Sequence, residues 1–214
     1  MAVKFNVTGE QYFSIDGQIL KIKRQLRLKS GSSIDPELVK LALQDIVEGK
    51  FHHESKIVSV PSITRLIESG VMIEACDGKT YISEAKNTFK SGIDGDFKNW
   101  SLNNKGNATK ETLVDIHEIV EDAKFSQIFP SLNSNLDKLV MTQNQIIRFC
   151  EKHPTLLRQE GYATFFLIKE NNEYFVVRVI VYSGGLGADV RRLEYGIVWD
   201  GEYRHRLVVP QLVA

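Results

Sequence analysis

The chain has 214 residues, 43% of them hydrophobic, 25% charged and 9% aromatic, with Lys+Arg and Asp+Glu at 27 each and a formal net charge of zero. These values exclude a disordered chain, which is poor in apolar residues and strongly charged, and a collagen-like or low-complexity one. Zero net charge also argues against bulk attraction to nucleic acid or anionic membrane, so any such role requires a local patch.

Residues 1–7 alternate and contain no apolar run of the signal-peptide kind, and nowhere do about 18 apolar residues follow one another. A cytoplasmic protein with no membrane partner is the expectation. Cys76 and Cys150 stand too far apart to suggest a disulfide framework or zinc-ligand spacing, so no metal and no cofactor is expected.

In chain order, residues 3–15 read as a strand, Asp16-Gly17 as a hairpin turn and 18–29 as the return strand. Period two sets Lys21, Lys23, Arg27 and Lys29 on one face of that strand, where alternate positions lie about 6.7 Å apart, a row able to track a phosphate backbone. Asp35-Pro36-Glu37 opens a helix running to Glu48, with Gly49 after it. A short strand at 56–60, a helix at 63–69 and a second hairpin, 71–75 with 80–83 around Asp77-Gly78, complete an N-terminal α+β unit over residues 1–86. Residues 87–111 are rich in Gly, Asn, Ser and Lys without a period, and read as a polar linker or long loop in which Phe97 and Trp100 are surface anchors.

Residues 112–214 form the last part. An acidic helix is expected at 113–124, further helix at 132–141, and a helix at 143–153 opened by a Thr142/Gln145 capping box and stopped by Pro154. Four strands follow, 162–169, 173–182, 190–199 and 202–211, whose short links make them antiparallel neighbours. The fold class is thus α+β, an N-terminal hairpin/short-helix/hairpin unit followed by helices and a four-stranded antiparallel β-meander.

Several sequence features touch on chemistry. Glu84-Ala85-Lys86 has the Glu-X-Lys form of one class of metal-dependent nucleases, with Asp77 or Glu74 as the second carboxylate. His117 and Glu121 share a face if 113–124 is helical, but no third ligand is evident. The glycines of 183–187 precede a strand and not a helix, which suits a turn better than a phosphate loop. No Gly-X-Ser-X-Gly nucleophile elbow occurs.

The most distinctive feature lies at the C-terminus. No lysine follows Lys169, yet Arg178, Arg191, Arg192, Arg204 and Arg206 all fall in the expected strands, with Tyr182, Tyr195, Trp199, Tyr203 and His205 nearby. Arginine is preferred over lysine where a planar, multi-donor cation pairs or stacks, and Arg, Tyr and Trp are enriched at binding hot spots. The expected function is a non-catalytic binding protein that presents Arg192, Arg204, Arg206 and Tyr203 on its C-terminal sheet to a protein or a nucleic acid. The metal-dependent nuclease is the alternative.

Overall fold

The computed structural model describes residues 8–27, 35–48 and 62–212. It divides into two compact units, Met1–Val58 and Ser59–Ala214.

In the first unit the expected hairpin is replaced by a helix, α1, Gly9–Leu26, with Asp16-Gly17 inside it. Tyr12, Ile15, Ile19, Ile22 and Leu26 recur at three- and four-residue steps, and Gln, Lys, Arg and Leu are good helix formers. That period outweighs the local turn signal. The basic row is dispersed: on a helix Lys21 and Lys23 lie about 200° apart and only Lys23 and Arg27 are neighbours. Lys29 lies outside the described residues, as do the expected strand at 56–60 and Gly49. The second helix, α2, Pro36–Val47, forms where expected, and the Asp35 carboxylate accepts from the Glu37 N–H at 2.9 Å.

The second unit is built on one mixed sheet of seven strands among the described residues. These are β1 (Thr64–Ile73), β2 (Gly92–Ile93), β3 (Thr112–Ile119), β4 (Ala163–Glu170), β5 (Glu173–Tyr182), β6 (Gly185–Arg192) and β7 (Arg206–Pro210). Their order across the sheet is β1-β3-β7-β4-β5-β6-β2, with β4–β7 and β2–β6 parallel and the other pairs antiparallel. The helices of this unit are α3 (Asp96–Asn99), α4 (Phe125–Leu132) and α5 (Gln143–Lys152).

Several expectations are corrected. Residues 64–73 are strand, not helix, and Val71–Ile73 pairs with Thr112–Val114 instead of closing a hairpin on 80–83, where Ile82–Glu84 is a 3-10 turn. Most of the expected acidic helix at 113–124 is instead the strand β3: Val114 and Ile116 face one core at alternate positions, and Ile119, of the opposite parity, is buried in the other. His117 and Glu121 therefore share no helical face. Residues 87–111 include β2 and α3, and Phe89, Phe97 and Leu102 are fully buried.

The four-stranded meander is a three-stranded one, β4-β5-β6. Its third strand starts five residues earlier than expected, because Ser183-Gly184 alone makes the turn and Gly185–Gly187 belongs to the strand. A Cβ at Gly187 would lie 2.8 Å from the Tyr182 ring, so a side chain there would displace that half-exposed ring. The last strand, β7, crosses back to lie between β3 and β4.

Strand β4 alternates between two cores. Phe166 and Ile168 face one, with Ile146, Phe149 and Cys150 of α5. Ala163, Phe165 and Leu167 face the other, with Phe125 and Phe129 of α4 and with Trp199. The Phe165 ring sits 4.9 Å from Phe125 and 4.7 Å from Trp199. The α5 capping box forms as expected, Thr142 N–H donating to Gln145 Oε1 at 2.9 Å. Buried beside it, Gln143 accepts from the Ile82 N–H at 3.0 Å and donates to the Leu102 carbonyl at 2.5 Å, which ties the 82–102 segment to the helix start.

Phe165→Ala is expected to remove about 3–5 kcal/mol of stability in urea or thermal unfolding, while Leu66→Ala, half exposed on the edge strand, changes it by about 0.5 kcal/mol or less. A pH effect comes from His205, which is 6% exposed. Burial pushes its pKa down to about 4, and the charges of Arg158 and Arg178 push the same way. Its Nδ1 accepts the Ala163 N–H at 3.0 Å, which requires that nitrogen to be unprotonated. The unfolded chain takes up this proton below about 6.5, the folded one only near 4, so the neutral ring's contribution is complete above about 6.5 and is lost as the pH falls toward 4. The loss should reach about 3 kcal/mol. His205→Gln should flatten the decline of stability measured between pH 7 and pH 4.5.

Candidate functional site

The candidate site forms where β6 outruns β2. The two-residue β2 pairs only with Gly187 and Ala188, so among the described residues no strand lies beside the outer edge of β6 from Asp189 onward. The chain before and after β2 is pinned to β6 by backbone bonds, Ser91 N–H to the Leu186 carbonyl at 2.9 Å and Asp94 N–H to the Ala188 carbonyl at 2.9 Å. Phe97, fully buried, holds the following turn down.

Asp94 organises what comes next. One carboxylate oxygen accepts the Asp96 N–H at 3.1 Å and the other accepts Arg191 Nη1 at 3.0 Å. Burial pushes this carboxyl up, but the Asp96 N–H, the Arg191 guanidinium and the Val190 N–H outweigh it and hold it below the ordinary aspartate value. Arg191 in turn donates to the Val190 carbonyl at 2.7 Å. Side chains thus occupy the backbone groups of Val190 that a further strand would use, which protects this edge from pairing.

Beyond this clasp Trp100 stacks on Phe175, ring centroids 5.9 Å apart, and the Arg192 guanidinium lies 5.4 Å from the centre of the Trp100 ring and 5.5 Å from that of Phe175. Glu173, two residues before Phe175 on β5, pairs diagonally with Arg192 at 2.5 Å. Arg191 lies over Tyr195 at 5.7 Å. Asp94, Asp96, Trp100, Arg192, Glu194 and Tyr195 line an open cleft of about 670 Å³. The loop beside it leaves Tyr195, Ile197 and Val198 37%, 46% and 53% exposed. On the other side of Asp94 a smaller cleft, about 340 Å³, is lined by Ser83, Lys86, Lys90 and Lys98.

Of the residues expected to bind, only Arg192 lies in the larger cleft. Arg192 faces Phe175, which faces Ile168, whereas Arg206 faces Thr164, at the opposite end of β4. Arg206 donates to the Leu156 carbonyl at 2.8 Å and so holds the 3-10 turn Pro154–Leu156. Arg204 approaches Glu118 at 3.7 Å, a carboxylate it shares with Arg65. Tyr203 stacks on Tyr162 at 5.0 Å, with Arg158 over the Tyr162 ring at 4.9 Å. One continuous Arg/aromatic face is therefore not formed. The period-two pattern assumed a strand through 190–199, but β6 stops at Arg192, and β7 begins only at Arg206.

The nuclease residues are also placed. Glu84 sits in the 3-10 turn and accepts the Tyr81 hydroxyl. Lys86 borders the smaller cleft, and Asp77 is engaged by the Lys79 N–H at 3.0 Å. Among the described residues no group of three or more His, Cys, Asp and Glu side chains is placed to hold a metal ion. The sequence singled out Trp100 as an anchoring aromatic but could not say that Phe175 and Arg192 receive it. Asp94 carried no sequence signal for its role.

Comparison with protein-family models, with curated proteins and with solved structures returned no match. Among the described residues no helix is long and apolar enough to cross a membrane.

Asp94→Ala is expected to cost about 1–3 kcal/mol, because it strands the Asp96 and Val190 N–H groups and the Arg191 cation. Amide hydrogen exchange over residues 91–100 should accelerate well beyond that in α5. Uniform acceleration through the unit would contradict a local clasp.

Proposed function

We propose that the chain is a non-catalytic binding protein that takes a protein partner on the cleft between Trp100, Arg192 and Tyr195. The observation that carries this reading is the coincidence, in one place, of an open cleft, a half-exposed Arg192 stacked on Trp100, and an exposed Tyr195-Gly-Ile197-Val198 rim. Aromatic and Arg anchors beside apolar surface are what interface hot spots are made of.

The charge balance supports a protein over a nucleic acid. Arg191 and Arg192 are each paired with a carboxylate, and Asp96 and Glu194 add two more acids to the lining. A phosphate entering this cleft meets more negative charge than positive. Cys76 and Cys150, both buried free thiols, support a reducing, cytoplasmic setting.

A photo-crosslinking amino acid at Tyr195 should trap a defined set of proteins in cells, and Arg192→Ala combined with Ile197→Ser should lower that yield about tenfold or more. A yield unchanged by the two substitutions removes the cleft as the binding face. Single- and double-stranded oligonucleotides should show no retardation at low salt. A shift that weakens with salt and disappears in Arg191→Ala/Arg192→Ala would assign the face to nucleic acid instead.

A further inference from the structure

The first unit carries a feature that the cleft does not explain. Along α1, Tyr12, Ile15, Ile19, Ile22 and Leu26 follow steps of three, four, three and four residues, the a/d pattern of a coiled-coil seam over more than two heptads. Tyr12 and Ile15 are 66% and 55% exposed, and Ile19, Ile22 and Leu26 are half-buried. An 18-residue helix gains most of its stability from packing its apolar face, so this stripe requires a cover. Phe13 and Leu20, 74% and 45% exposed, adjoin this stripe at the b positions, but the a and d positions alone recur through all four steps, and such a repeat matches another helix of the same kind.

The flanking charges select the partner and its direction. The two e positions of the seam are Asp16 and Lys23, and the g positions between and after them are Gln18 and Gln25. In an antiparallel pair e faces e, so the register that sets Ile19 against Ile22 and Ile15 against Leu26 of a second copy also sets Asp16 of each helix beside Lys23 of the other. Symmetry makes this ion pair twice. Sliding the helices by one heptad brings Asp16 against Asp16, which repels. In a parallel pair g faces e, and Lys23 meets the neutral Gln18. Of these pairings of α1 with itself, the antiparallel one satisfies both seam and charge.

We infer that α1 pairs antiparallel with α1 of a second copy of this chain, so that the protein is a dimer through its first unit. This inference is independent of the cleft and survives if the cleft binds nothing. With four apolar layers the association is modest, in the micromolar range or weaker.

Analytical ultracentrifugation of the full chain, from about 1 µM to several hundred µM, should show a reversible monomer–dimer equilibrium. Asp16→Lys should raise the dissociation constant roughly tenfold or more, since it reverses both ion pairs, and Asp16→Lys/Lys23→Asp should restore it. Circular dichroism checks that each variant keeps its helix. For direction, an Ile15→Cys chain is mixed with a Leu26→Cys chain under mild oxidation, while the native thiols stay buried. Antiparallel pairing yields the mixed disulfide, and parallel pairing yields the two symmetric ones. A monomer at every concentration overturns the proposal. So does a dimer indifferent to the charge changes, or one that forms only symmetric disulfides. A monomer that sediments with phosphatidylserine vesicles also overturns it, and would assign the stripe to a lipid surface.

Discussion

The second unit depends on a strand that is buried on both faces. Residues 163–168 of β4 are each 2% exposed or less, so neither face of the strand can be left to water. Its even-numbered apolar positions need α5 on one side and its odd-numbered positions need α4 and Trp199 on the other. That demand explains why the chain sends a helix to each face before β4 is laid down. It also explains why β7 and β5 flank β4: a central strand has no outer edge to leave unpaired. The mixed direction of the sheet follows, because the last strand must insert between β3 and β4 instead of extending the meander.

The two outer edges of the sheet are handled differently. On β1 the register slips around Ser69-Gly70, and Gly70 adopts a positive φ of 72°. Asp115 receives both the Ser69 hydroxyl at 2.7 Å and the Gly70 N–H at 3.1 Å, with Gln211 joining from the end of the chain. The bulge breaks the ladder that a foreign strand would need. At the other edge β2 is too short to cover β6, and the Asp94–Arg191 clasp takes over. The candidate cleft is a by-product of that economy: where the covering strand ends, Trp100 and Tyr195 frame a hollow at the sheet's margin.

The arginines of the C-terminal half serve mainly as clamps within the protein. Arg178 is bidentate on Asp189, with its closest contact at 2.5 Å, and lies over Trp199 at 5.7 Å. Arg206 gathers the carbonyls of the turn after α5, and Arg204 meets Glu118. A rigid fork of donors suits these half-buried duties better than an ammonium on a flexible stem. Arg192 lies half exposed over the Trp100–Phe175 pair, where it borders the larger cleft.

Helices α2 and α5 were legible because their caps are local: Asp35-Pro36 and the Thr142/Gln145 box each need only four consecutive residues. Strands β4 and β5 were legible from continuous apolar runs with a two-residue link. The α1 and β3 segments were misread because each supports both periods. Val114, Ile116 and Ile119, with Asp115 and Glu118 among them, can line a helix or a strand, and the sheet decided by supplying β1 and β7 on either side. The alternation around Lys21 and Lys23 hid a heptad seam. Sequence by itself determined composition, caps and the pairing of near neighbours, since these rest on contacts a few residues apart. The tertiary structure alone decided the place of β7, the two cores and the meeting of Asp94, Trp100, Arg191 and Arg192. Residues 94 and 191 are 97 positions apart, and only the closing of the sheet brings such groups within a hydrogen bond.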